Sequence, residues 1–313
     1  MSSEPILEYV DLQVNGYVGV DFNDPRTSQA ELLKAAVALR NDGVQSALPT
    51  VITGPIESME TCIGNLVRTI HEHQAAAEVF AGIHIEGPFL SRVPGFIGAH
   101  PVQDAKDQDL KLLDRLCRAG GNLVRLVTLA PEVDEQARMT RHCVERGMRV
   151  AAGHTDATLE QLECCLDAGL SLFTHLGNGC PMLLDRHDNI MMRALRLSDR
   201  LHYSLIADGF HIPEILFSNL LEWVDIDRLM VVSDAISAAG LGPGVYRLGA
   251  REVRIGSDKA ARDASGEHFV GAASTMRDAD YWLAHSLQLP VAVRRKLLVE
   301  NPMRYLAGQK DGA

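Results

Sequence analysis

No apolar run in the 313-residue chain approaches the roughly 20 residues of a membrane span, so a helical membrane protein is excluded. Residues 1–20 lack the basic start and following apolar run of an export signal, so a cytoplasmic protein is expected. No low-complexity tract and no internal repeat is visible. Basic residues are in deficit: 30 Lys and Arg stand against 41 Asp and Glu, a net charge of −11 with no basic runs. That argues against nucleic acid as the main partner, and an anionic ligand would need local basic residues to overcome the long-range field. Six cysteines contain no CxxC pair and read as reduced thiols. Most lie in helical patterns as small core residues; Cys180 stands apart in a glycine-rich loop.

What is present is a globular composition, 46% hydrophobic and 23% charged, with length for a substantial core. Short apolar runs alternate with longer amphipathic ones. Strands are expected at Leu7–Val14, Val44–Leu48, Val79–Ile85, Leu123–Leu129, Arg149–Ala152, Ser171–Thr174, Leu201–Ile206 and Leu229–Val232. Helical patterns lie between them, among them Gln29–Asn41, Ile56–His73, Asp107–Arg118, Glu132–Arg146, Leu159–Ala168 and Pro213–Val224. Several strands are apolar almost throughout, as parallel strands covered on both faces are. Eight strand–helix units predict an α/β (β/α)8 barrel, with residues 1–313 as one catalytic domain. A doubly wound sheet would be shorter and would gather its special residues at one switch point. Residues 238–273, rich in Gly and Arg, read as a hairpin excursion, either a lid or a plain insertion.

Polar residues follow nearly every strand, where a barrel places its active site. In order they are Gln13 and Asn15; His84 and Glu86; His154; His175 and Asn178; Asp208 and His211; and Asp234. A single such histidine is more often a satisfied structural residue, and a carboxylate after a strand is often a helix cap. Asp156 and Thr158 in "HTDATLE" are read as caps of that kind. The positions taken together require more: one Glu and two His at a barrel mouth make a zinc set with a position left for water, and a nearby Asp would be the general base.

The motifs "DLQVNG", "HIEGPFLS" with a following "GAH", "GHTDAT", "THLGNG", "IADGFH", "SDA" and "ENPMRYLAG" resemble, in order and spacing, those of the N-acetylglucosamine-6-phosphate deacetylases of the amidohydrolase superfamily. The resemblance runs from about Tyr9 to Gly308. It implies Glu86, His154 and His175 as metal ligands, Asp234 as the catalytic aspartate and His100 as the group that polarises the substrate carbonyl. Asn178 and His211 fall on sugar- and phosphate-contacting positions, and Arg186 on an arginine that reaches the phosphate across a homodimer interface. Many amidohydrolases carry His-x-His on strand one and hold a second metal there; Gln13 and Asn15 imply one divalent ion per chain, by default zinc, with iron, manganese or cobalt fitting similar geometry.

The implied reaction is hydrolysis of the acetamide of an amino sugar phosphate. The metal lowers the pKa of a water toward roughly 7, Asp234 moves its proton to the departing amine, and His100 stabilises the oxyanion. Gln13 and Asn15 either hydrogen-bond the ligand or a metal-bound water or fill the barrel mouth. His84 either orients Glu86 or is a satisfied core histidine. His187 joins a phosphate site or is a solvated neighbour of Arg186. Asp208 shapes its loop.

Two departures stand out. The family's small β-sandwich is expected to be absent, because strand one starts within ten residues of Met1. The family's "HLFNAM" reads "HLGNGCPM" here, so Gly177 replaces an aromatic beside Asn178. An amidohydrolase acting on another N-acyl or cyclic amide, and a silent sugar-phosphate binder, are the competing readings.

Overall fold

The computed structural model describes residues 7–248, 251–256, 259–263 and 271–308. The apolar runs become parallel strands around a barrel: β1 (Tyr9–Val14), β2 (Val44–Ile52), β3 (Ile83–Glu86), β4 (Val124–Leu129), β5 (Arg149–Ala152), β6 (Leu172–Phe173), β7 (His202–Ile206) and β8 (Leu229–Val232). Each pairs with the next in sequence. Just past β8, a parallel bridge Val14↔Ala235 and the Asp234 N–H donating to the Gln13 carbonyl at 3.0 Å bring the last strand to the first. The barrel is the one expected. Among the described residues no helix is long and apolar enough to cross a membrane.

Local chemistry sets the helix boundaries. Ser28 and Glu31 form a reciprocal capping box ahead of Gln29–Asn41, and Thr158 does the same with Gln161 ahead of Leu159–Asp167. Asp156, read as a cap beside Thr158, instead pairs with Arg193 at 3.0 Å. The helix expected over Glu132–Arg146 is confined to Arg138–Val144. The buried Asp134 carboxylate accepts the N–H groups of Met139 and Thr140, and Gln136 and Ala137 turn left-handed to let it do so. β2 runs past Pro49 because the ladder is irregular there, and Val14 N–H donates to the Thr50 hydroxyl at 3.1 Å.

After β8 the strands β9 (Gly244–Leu248), β10 (Arg251–Ile255) and β11 (Ala261–Asp263) form an antiparallel sheet over a small apolar cluster that includes Ile236, Val253 and Ile255. Of the expected excursion 238–273, residues 249–250, 257–258 and 264–270 lie outside the described residues.

Barrel interiors are usually branched aliphatics. This one carries a polar set in which Asp11, Thr50, His84, Thr128 and Ser204 are all fully buried. His84 is satisfied within it: Nε2 meets Thr128 Oγ1 at 2.7 Å and Nδ1 meets the Leu12 carbonyl at 3.2 Å. A carbonyl can only accept, so Nδ1 carries the proton and Nε2 accepts from the hydroxyl. Burial holds the ring neutral, pushed down to about 4. His84 is therefore a core histidine, and its hydrogen bonds do not reach Glu86.

Asp11 is less comfortable. One carboxylate oxygen accepts from the N–H of Gln13 and of Ser233, and the other is buried without a partner. Desolvation pushes its carboxyl up to about 7, against the lowering effect of those hydrogen bonds. The folded pKa lies above the unfolded one, so its stabilising contribution is complete below about 4 and is lost as pH rises through about 7. At about 1.4 kcal/mol per unit the loss is at most about 4 kcal/mol. Urea midpoints at pH 5 and pH 8 are expected to differ less for Asp11→Asn than for the wild type; equal differences would show that Asp11 does not titrate in this window.

Candidate active site

Glu86 is the last residue of β3, and His154, His175 and Asp234 each stand two residues past the ends of β5, β6 and β8. All four meet at the C-terminal rim, and the two histidines and Glu86 are buried there. His154, His175 and Asp234 have φ of 52, 32 and 49°. A non-glycine residue in that region costs of order 1 kcal/mol or more, and such outliers cluster at functional sites.

Glu86, His154 and His175 offer one ligand atom each, all within 4.8 Å of one another. His175 Nε2 lies 3.0 Å and His154 Nε2 3.4 Å from Glu86 Oε1. His154 Nδ1 donates to the Phe96 carbonyl at 2.9 Å, which leaves the Nε2 lone pair facing the carboxylate. His100 Nε2 stands 3.2 Å from His154 Nε2 and 4.0 Å from Glu86 Oε2.

Burial by itself would raise Glu86, but the His154 and His175 rings packed on it, with the hydrogen bond from His175 Nε2 at 3.0 Å, hold it well below the usual carboxylate range. Burial would lower His175, yet its hydrogen bond to Glu86 raises it. His175 thus keeps a proton aimed at an anionic oxygen, the place a cation would take. Two imidazoles and a carboxylate, one ring locked in the ligating tautomer, fit a divalent ion of the zinc type.

Asp234 is raised by burial and by the Glu86 charge. Its Oδ1 accepts from Asn15 Nδ2 at 2.6 Å and from Gln13 Nε2 at 3.1 Å. Gln13 Nε2 also donates to Glu86 Oε1 at 3.0 Å, so both of its hydrogens are engaged and none is left for a ligand. Asn15 keeps a buried oxygen without a partner. His100 is neutral, pushed down to about 3 by burial and then by the neighbouring His154.

Among the other expected residues, Asp208 Oδ2 holds His211 Nδ1 at 2.7 Å, and burial of Asp208 is outweighed by that bond, which keeps its carboxylate low. Asn178 Nδ2 is buried and unpartnered beside the site. Arg186 and His187 are exposed on the loop after β6, and among the described residues no hydrogen bond or ion pair joins Arg186 to the cluster. Cys180 is half-buried, its Sγ 3.6 Å from the Gly177 carbonyl. A side chain at Gly177 would meet the apolar Met191, Ile212 and Leu216 at 3.8–3.9 Å.

Three contributors were not singled out by sequence. Glu132, two residues beyond Ala130 after β4, accepts from the Thr155 hydroxyl and the Asp156 N–H and so ties down the loop that carries His154. Gly98 and Gly179 face the His154 ring, where a Cβ would come within 2.9 and 2.8 Å. Their signals in the sequence are a carboxylate just past a strand end, a glycine two residues before His100 and a glycine next to Asn178.

No family model matches the chain. Among curated proteins it is similar to the N-acetylgalactosamine-6-phosphate deacetylase of Escherichia coli O157:H7, 31% identical over 79% of this chain and 64% of that protein. It is also similar to the N-acetylglucosamine-6-phosphate deacetylase of Homo sapiens, 35% identical over 79% of this chain and 61% of that protein. The chain thus spans 61–64% of the length of these curated relatives. The solved structure of a mutant N-acetyl-D-glucosamine-6-phosphate deacetylase from Mycobacterium smegmatis, in complex with N-acetyl-D-glucosamine-6-phosphate, superposes with a TM-score of 0.86 at 28% identity, covering 96% of this chain and 77% of that one.

Proposed function

We infer that this chain belongs to the N-acetylglucosamine-6-phosphate deacetylase family, to which its relatives and structural neighbours point, and that it hydrolyses the acetamide of an N-acetylated amino sugar 6-phosphate. The observation that carries this reading is the convergence of Glu86, His154 and His175 on one point, with Asp234 and His100 against it.

Glu86, His154 and His175 would hold one divalent ion, zinc by default, which polarises the carbonyl and acidifies water. Asp234 takes the proton of the attacking water. Both amide hydrogen bonds fall on its Oδ1, leaving Oδ2 for the transfer. Its raised pKa makes it a stronger base than an ordinary carboxylate. The neutral His100 carries one ring proton. The His154 Nε2 it faces is an acceptor, so that proton lies on His100 Nε2. With the His154 lone pair facing a bound ion, this N–H would be free to donate to the carbonyl oxygen, a contribution of about 3 kcal/mol. Asp234 then protonates the nitrogen as the C–N bond breaks, giving acetate and the amino sugar.

On the ligand side, Asn178 offers an unspent donor, His211 is oriented by Asp208, and Asn15 offers an unspent acceptor. Exposure of Arg186 suits a role across a homodimer interface. Free thiols suit a cytoplasmic setting.

The test is acetate release from N-acetylated glucosamine and galactosamine, each with and without a 6-phosphate, by protein of known metal content. A marked preference for the phosphorylated sugars is expected. Equal turnover of the unphosphorylated sugars would overturn the assignment of substrate.

A further inference from the structure

The amide of Gln13 is the pivot of the site, because its two hydrogens hold Glu86 and Asp234 together. An amide can sit in two flips, and the wrong one would aim a carbonyl at two carboxylates. What selects the flip lies below it. Thr174 Oγ1 donates to Gln13 Oε1 at 2.7 Å, and Thr174 Oγ1 meets Ser204 Oγ at 3.1 Å. Ser204 Oγ accepts the backbone N–H of His175 at 2.8 Å. A hydroxyl has one proton. Thr174 spends its proton on Gln13, so Ser204 must donate to Thr174, as it is free to do while accepting from His175. Every proton in this relay is thereby assigned, from His175 N–H through Ser204, Thr174 and Gln13 to the two carboxylates. Gln13, Thr174 and Ser204 are buried, so water does not substitute for a missing member.

We propose that Thr174 and Ser204 are positioning residues that act through Gln13, fixing its amide so that its NH2 clamps the ion-holding carboxylate of Glu86 to the proton-transferring carboxylate of Asp234. The proposal rests on the function inferred above. The clamp offsets the repulsion of two buried carboxylates without adding a charge. Its loss frees Glu86 to swing, which weakens the ion, and frees Asp234, which slows proton transfer. Substrate contacts are untouched.

The experiment is a double-mutant cycle read in two ways: zinc affinity by chelator competition, and kcat and KM for N-acetylglucosamine 6-phosphate. Thr174→Val keeps volume and removes the donor. It is expected to lower zinc affinity and kcat each by about tenfold or more, the usual effect of losing a partner that orients a ligand, with KM within about twofold. Thr174→Ser should restore both. Gln13→Leu should lose more than Thr174→Val, and adding Thr174→Val to Gln13→Leu should cost nothing further. Additive losses, or a Thr174→Val within about twofold of wild type in both readouts, would overturn the proposal. If Thr174→Val melts far below wild type as apoprotein, Thr174→Ala, which removes the same donor, takes its place in the cycle with the same criterion. Zinc cycles that close while no sugar phosphate releases acetate would uphold the clamp and reject the inferred reaction.

Discussion

Replacing Asp234 by Asn is expected to leave a folded, metal-loaded protein whose turnover has fallen by roughly 10²–10⁴-fold, the range that one general acid–base group contributes. The substitution is nearly isosteric. Asn still presents an Oδ1 to the amides of Asn15 and Gln13, so the hydrogen bonds at 2.6 and 3.1 Å survive. It removes the anionic Oδ2 that, on this reading, would accept and return the proton. It also removes one of two buried negative charges that raise each other's cost, so melting temperature should hold or rise. Metal content, melting temperature and kcat on one preparation provide the check. Turnover within a few-fold of wild type would mean that Asp234 is not the base.

The second large effect is expected at Glu86. Glu86→Gln keeps shape and one acceptor oxygen for Gln13 Nε2–H but abolishes the charge that opposes a cation. His154 and His175 would bind an ion as neutral donors, so Glu86 supplies the site's anionic ligand. Strand one offers no anionic replacement, since Gln13 and Asn15 are neutral amides. Zinc affinity should fall by more than about a hundredfold, beyond the range seen when only a ligand's supporting partner is lost. After dialysis against a chelator, wild type should retain one ion per chain and Glu86→Gln nearly none. A wild type that needs two ions per chain for activity would overturn the single-site reading. The apoprotein should still fold, because the barrel core is independent of the ion.

Barrel class, strand order and the residues at each strand end were legible in the sequence for local reasons. A strand buried on both faces is short and largely apolar, and the polar residues that follow its end fall at the rim, so Glu86, His154, His175 and Asp234 stood out against their neighbours. Their order and spacing also carried the family, which the neighbouring proteins bear out. Tertiary structure alone decided how these residues meet. The left-handed backbone at His154, His175 and Asp234 is maintained by contacts from other strands, and no local propensity encodes it. His84 and Glu86 share a face by alternation, yet only the neighbouring strands show that His84 serves Thr128 and Leu12 rather than Glu86. Thr174 and Ser204 drew no notice as letters, because they reach Gln13 only when β1, β6 and β7 converge within the barrel. Alternation along a strand tells which way a side chain points; the partner it meets there depends on the register and closure of the whole barrel, and hydrogen bonds, being directional, are decided at that level.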